Sequence, residues 1–187
     1  MIQFILNFVV FVSGAVLMAL EIVGSRVLAP YFGNSIFVWG SLISVFLAAL
    51  SVGYYWGGRL SDRKPSFTQL RLLLFIPGVL IFVLPFLYPS VNDWIASVDF
   101  GIRLNPLIAS AVYFLPPSIF LGTISPYAIR LSATALSTVG TTAGTLYALS
   151  TCGSILGTLF TAFYLIPVMG VSKIIHSLGL TMVALCL

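Results

Sequence analysis

Charge is what this sequence has least of. Of 187 residues, 6% are Asp, Glu, Lys or Arg and 60% are apolar, against about 25% charged in an ordinary soluble domain. Eight basic and four acidic side chains cannot solubilise a surface of that size, which excludes a water-soluble globule. Intrinsic disorder needs polarity and a disulfide scaffold needs many cysteines, and this chain has neither, with only two cysteines. The formal charge of +4 does not point to nucleic acid, because the basic residues lie between apolar runs. Also missing are a glycine-rich strand-to-helix loop for a nucleotide, paired carboxylates and a His/Cys ligand set. No cofactor or metal is therefore expected, and nothing supports an enzyme acting alone. Cys152 and Cys186 read as small packing residues rather than a disulfide or metal ligands.

What is there is a series of apolar runs. They predict an all-α integral membrane protein, a single polytopic domain over 1–187 with the lipid bilayer as its first partner. Six transmembrane helices are expected at about 4–29, 37–56, 70–88, 106–129, 142–166 and 173–187. The first run lacks a basic n-region and further spans follow, so it reads as a retained helix rather than a signal peptide. Pro30 and the Gly33-Asn34 pair mark a turn. The stretch Pro89 to Asn105, with Asp93, Trp94, Asp99 and Arg103, reads as an interfacial loop. Pro116-Pro117 and Pro126 are expected to break the fourth run. The last run, Lys173 to Leu187, gives only about 22 Å of helix against a core of about 30 Å. Either the gene product ends abruptly there or the chain is part of something longer.

Basic residues set the expected orientation. With the N-terminus inside, the inner connectors hold Arg59, Arg63, Lys64, Arg71 and Arg130, and the outer side holds Arg26, Arg103 and Lys173. This bias predicts a cytoplasmic N-terminus.

A shift of 104 positions superimposes Gly40 on Gly144, Ser44 on Ala148, Ala48 on Cys152, Ala49 on Gly153 and Gly53 on Gly157. The first three pairs recur at i, i+4, i+8 and form a stripe of small residues on each helix. Such stripes let helices approach closely in lipid, and a three-plus-three inverted repeat would explain the echo.

Three groups of residues are candidates for chemistry. Glu21, the sole glutamate, lies in the first span with Arg26 five residues on. An intramembrane ionisable group is a functional candidate by default, and an outer polar cluster of Glu21, Arg26, Lys173 and His176 is expected, with headgroup anchoring as the alternative. Pro116 and Pro117 deprive the carbonyls of Val112 and Tyr113 of their helical donors. Freed carbonyls of this kind bind cations in broken-helix transporters, while a kink resatisfied by a hydroxyl or water is the structural alternative. The hydroxyl-rich face of the fifth run (Thr145, Tyr147, Ser150, Thr151) suits packing or a cavity wall.

Three stretches together carry a resemblance. They are Glu21-Ile-Val-Gly-Ser-Arg26-Val-Leu-Ala-Pro-Tyr-Phe-Gly33 leading into Val38-Trp39-Gly40 and Ser44; Gly53-Tyr-Tyr-Trp-Gly-Gly58-Arg59-Leu-Ser-Asp62-Arg63; and Gly144-Thr-Leu-Tyr147-Ala-Leu-Ser150-Thr-Cys-Gly153-Ser-Ile-Leu-Gly157, ending at Leu165-Ile-Pro167 and Gly170. Along nearly its whole length the chain resembles the membrane part of the bacterial fused major-facilitator/spermidine synthase-like proteins. In that family a cytosolic aminopropyltransferase-like domain commonly follows the membrane helices; it is missing here, so its activity does not carry over. The segment Gly58, Arg59, Asp62, Arg63 and Lys64 also resembles the inner loop signature of major facilitator transporters, with Pro65 and Ser66 replacing the usual glycine and basic residue. The resemblance implies an inner gate at Asp62, against the simpler reading of a positive-inside anchor. Its functional implication is a non-catalytic membrane domain serving a separate aminopropyltransferase-like partner at the inner face. The alternatives are a polyamine or other small-cation transporter acting as a homo-oligomer of six-helix halves, and a structural subunit of a membrane assembly.

Overall fold

The computed structural model describes residues 2–63, 65–133 and 138–186; Lys64 and Leu187, to which the sequence assigned a basic inner loop and a helix end, lie outside them. Among the described residues the chain forms six helices: α1 (Ile2–Phe32), α2 (Ile36–Arg63), α3 (Phe67–Val98), α4 (Leu104–Ser132), α5 (Val139–Val168) and α6 (Val171–Ala184). A hydrocarbon surrounding offers backbone amides no partner outside the chain, so long apolar runs close their hydrogen bonds internally as helices. The first five are long and apolar enough to cross a membrane, and α6 is a shorter apolar helix. The protein is a helical, membrane-embedded chain. Large apolar side chains such as Phe4, Ile36 and Phe163 are more than three-quarters exposed.

Each of α1–α5 runs past both boundaries expected from hydropathy, whereas α6 starts two residues earlier than expected and ends at Ala184. At about 1.5 Å per residue, the 28 to 32 residues of α1–α4 make rods of roughly 42–48 Å, longer than a core of about 30 Å. Their ends therefore project, and most of the charged residues sit there; Glu21, eleven residues before the end of α1, is the exception among them. The segment Pro89–Val98, expected as a loop, is the last part of α3, and only Asp99–Arg103 connects it to α4. Asp99, at φ 50°, closes α3 by donating its N–H to Ile95 O, and its carboxylate accepts from Gly101 N (3.1 Å) and Asn105 Nδ2 (3.0 Å). Prolines 116, 117 and 126 do not break α4, which is helical throughout. In α5 a five-residue π turn, Thr161–Leu165, precedes Pro167.

α1 and α4 form the centre. α5 packs on α1 and α2 on α4, while α3 and α6 pair with each other, α3 also meeting α4 and α6 also meeting α1. The central seam holds Leu20, Val23, Leu42 and the stacked rings of Phe46 and Phe114, 5.6 Å apart. α5 is the least enclosed span: 11% of its apolar window is buried, against 56% for α4.

Glycine sets the closeness of each pair. A methyl group built on Gly53 would overlap the carbonyl oxygen of Ile119 on α4, and one on Gly57 would stand 2.6 Å from Thr123 O. On the other side, Gly153 and Gly157 of α5 sit in the same way on the carbonyls of Phe11 and Ala15 of α1. Gly78 and Gly179 abut where α3 meets α6. The small-residue expectation is corrected in part. Gly53, Gly153 and Gly157 are buried seats, but Gly40, Ser44, Ala48, Gly144, Ala148 and Cys152 are exposed, and among the described residues nothing lies within 4 Å of a carbon added at Gly40 or Gly144. The spacing was the same for both sets; burial separates them.

Gly53→Val and Gly157→Val each force a side chain into a neighbouring backbone and are expected to cost about 1–3 kcal/mol or more. Gly40→Val and Gly144→Val, with nothing within 4 Å of the added carbon, are expected to leave the thermal midpoint in detergent nearly unchanged. Equal shifts in both pairs would contradict the seating.

Candidate functional site

Arg26 lies six residues before Phe32, the end of α1, and there the chain reverses. Gly33, at φ 76°, donates its N–H to Ala29 O (2.9 Å), a left-handed helix cap that glycine adopts without strain. The reversal starts α2 at Ile36 and brings Asn34 and Trp39 beside the last turns of α1. The π turn of α5 supplies the opposite wall. A cavity of about 280 Å³ results, lined by Ile22, Ser25, Arg26, Ala29, Asn34, Trp39, Ala162 and Ile166. Its polar groups are unevenly committed. Ser25 donates to Ile22 O (2.8 Å) and the Trp39 indole donates to Asn34 Oδ1 (3.0 Å). An indole N–H only donates, so it fixes Asn34 with its amide NH₂ turned to the other side. The Arg26 guanidinium has no hydrogen-bond or ion-pair partner among the described residues, and no acidic side chain lines the cavity. The arrangement offers donors and no unengaged side-chain acceptor except the Ser25 hydroxyl.

The expected outer polar cluster is not joined. Among the described residues Glu21, Arg26, Lys173 and His176 make no ion pair with one another. Glu21 is half-buried on α1 and Lys173 is exposed on the first turn of α6. His176 lies on Phe82 and Phe86 of α3, ring centroids 4.6 and 5.3 Å apart, with Nδ1 buried and unpartnered. α1 is an unbroken helix across Glu21 and Arg26, and Gly24 between them faces Leu42 and Phe114. Arg26 belongs instead with Asn34 and Trp39. The signal was present in the sequence only as a turn motif followed by a tryptophan.

The expected gate is likewise changed. Gly58, Arg59, Asp62 and Arg63 are the last turns of α2 rather than a loop. Asp62 is exposed and makes no hydrogen bond or ion pair among the described residues, while Arg59 lies over the Tyr55 ring at 4.4 Å. The α2–α3 turn is tied from α4: Tyr127 OH accepts from Ser66 N (2.9 Å) and lies 2.6 Å from Gln69 Oε1, and Ser66 Oγ caps Gln69 N (3.2 Å). Sequence reasoning missed Tyr127, which is wholly buried.

At Pro116-Pro117 no broken-helix site forms. Val112 and Pro116 are on the exposed side, Tyr113 and Pro117 on the buried side of a continuous helix. Tyr113 instead organises a polar network near the α1–α2 end, donating to Asn92 Oδ1 (2.8 Å), with Tyr88 O at 3.2 Å; Tyr88 in turn meets Ser172 Oγ of α6 at 3.0 Å. Asn92 is fully buried and its Nδ2 lacks a partner. Tyr113→Phe leaves the whole Asn92 amide unpaired and is expected to cost about 1–3 kcal/mol of stability. Adding Asn92→Leu is expected to restore most of it, measured by unfolding in detergent. A double variant no better than the single would refute the network's role.

Among the described residues no group of three or more His, Cys, Asp or Glu side chains is placed to hold a metal ion. Comparison with family models, with curated proteins and with solved structures returns no match.

Proposed function

We propose that this chain is a non-catalytic, polytopic membrane domain of the spermidine synthase-like kind, built as a three-plus-three inverted repeat and serving a partner enzyme at one membrane face. The observation that carries the repeat is the pairing of helices. Exchanging α1 with α4, α2 with α5 and α3 with α6 converts the α1–α5 pair into α4–α2 and leaves α3–α6 unchanged. The glycine seats obey the same exchange: Gly53 on Ile119 and Gly157 on Ala15 differ by 104 positions in both partners. A sequence echo of small residues alone would not have required their partners to shift equally. Three helices per unit reverse the second unit's direction, which is the inverted form known from half-transporter architectures.

The partner reading rests on the α2–α3 end. Arg59, Arg63, Arg71 and Arg130 are exposed there, and none forms an ion pair among the described residues. An arginine-rich rim suits the cytoplasmic face of a bacterial inner membrane and an acidic surface on an enzyme docked there. A second reading, transport by a dimer of six-helix halves, is favoured by the exposed small faces of α2 and α5, which suit close packing against another copy.

Purification of the tagged chain in mild detergent, followed by mass spectrometry, is expected to recover an enzyme carrying a glycine-rich nucleotide-binding loop in fixed stoichiometry. Recovery of the chain as a homo-oligomer without such an enzyme, with solute uptake in liposomes abolished by Glu21→Gln, would replace this reading with transport. Orientation is tested separately: Asp62→Cys, in a Cys152→Ser/Cys186→Ser background, is expected to react with an impermeant maleimide only after cells are opened.

A further inference from the structure

The cavity at the α1–α2 turn has the chemistry of a receptor for an oxyanion. Its charged member, Arg26, projects a guanidinium with no partner among the described residues. That group presents five N–H donors in a planar fork and matches carboxylate or phosphate oxygens two at a time. Asn34 is locked by Trp39 so that its amide donors are free. Among the described residues no carboxylate lines the wall to neutralise the arginine from within. The cavity stands at the amino end of α2, a helix of 28 residues, where unpaired N–H groups add positive potential. Arg103, the neighbouring cation, is engaged over the Phe37 ring at 5.6 Å, leaving Arg26 as the charged group of the pocket.

Size and lining narrow the class. About 280 Å³ is at the small end of ligand pockets. Ile22, Ala29, Ala162 and Ile166 make the rest of the wall apolar. We propose that this cavity binds a small oxyanion, a phosphate or carboxylate group, through the Arg26 guanidinium and the Asn34 amide, with the Trp39 indole holding Asn34 in place. The same chemistry is carried by the headgroup of an anionic phospholipid and by a free solute anion. This inference is independent of the partner enzyme proposed above.

Trp39 is the reporter, in full-length chain with Trp56→Phe and Trp94→Phe, held in phosphatidylcholine nanodiscs. Titration with inorganic phosphate, and separately with acetate, is expected to change Trp39 fluorescence saturably for at least one of the two. Arg26→Gln is expected to weaken the response by about tenfold or more; Arg26→Lys retains part of it, and Asn34→Asp, which puts a negative charge in the wall, abolishes it. If a lipid headgroup is the natural occupant, phosphatidylglycerol nanodiscs give the changed spectrum without added anion, and Arg26→Gln removes that change. Lys173→Gln, an exposed charge outside the cavity, is expected to leave every response intact. No Arg26-dependent response to phosphate, acetate or phosphatidylglycerol overturns the proposal. Equal losses in Arg26→Gln and Lys173→Gln also overturn it, since they would mark a bulk surface-charge effect. Unchanged elution of each variant on size exclusion keeps misfolding apart from these outcomes.

Discussion

Within hydrocarbon, two apolar helices gain nothing from releasing water, so their association depends on how near their backbones come. This chain meets that constraint with glycine at the crossing points: Gly53 and Gly57 on α4, Gly153 and Gly157 on α1, and Gly78 against Gly179. Dispersion falls steeply with separation, so a missing methyl group at each crossing gains contact along neighbouring turns as well. α5 shows how far this goes. It has little burial, yet it meets α1 closely at Gly153, Gly157 and, from the α1 side, Gly14, and through a hydrogen bond from Ser154 Oγ to Gly14 O at 3.2 Å.

Polar groups follow a different logic at the middle and at the ends. In the interior they are mostly absorbed locally, as where Ser13, Ser41 and Ser110 return their hydroxyl protons to carbonyls four residues back. At the ends they are left open. The arginines of the α2–α3 rim and Arg26 at the opposite end make no ion pairs among the described residues, although desolvated charges normally find partners. Their exposure to water and headgroups removes that penalty and leaves them able to meet something outside the chain.

Much of the architecture was legible because apolar runs of spanning length have one economical conformation in lipid. Helix ends were not legible, since hydropathy reports where hydrocarbon stops and the helices continue past it. That is why Pro89–Val98, rich in polar residues, turned out helical. The 104-residue offset was visible, but an offset carries no direction around a helix. It therefore could not separate the seated Gly53 and Gly157 from the exposed Gly40 and Gly144. The polar cluster failed for a related reason. Arg26, Lys173 and His176 were grouped by estimated depth, whereas the actual neighbours of Arg26 are set by a left-handed glycine that turns Asn34 and Trp39 back toward it.

The π turn of α5 has a structural consequence of its own. A turn that bonds Ile166 N–H to Thr161 O contains one residue more than the α-helical path needs, and it absorbs that residue locally. The angular phase of the helix after it is thereby shifted relative to the phase before it. Gly153 and Gly157 hold the lower segment in register with α1, while Ala162 and Ile166 are free to be aimed at the cavity. Insertion or loss of a single residue within this turn would reshape the mouth and leave the anchorage beneath it untouched.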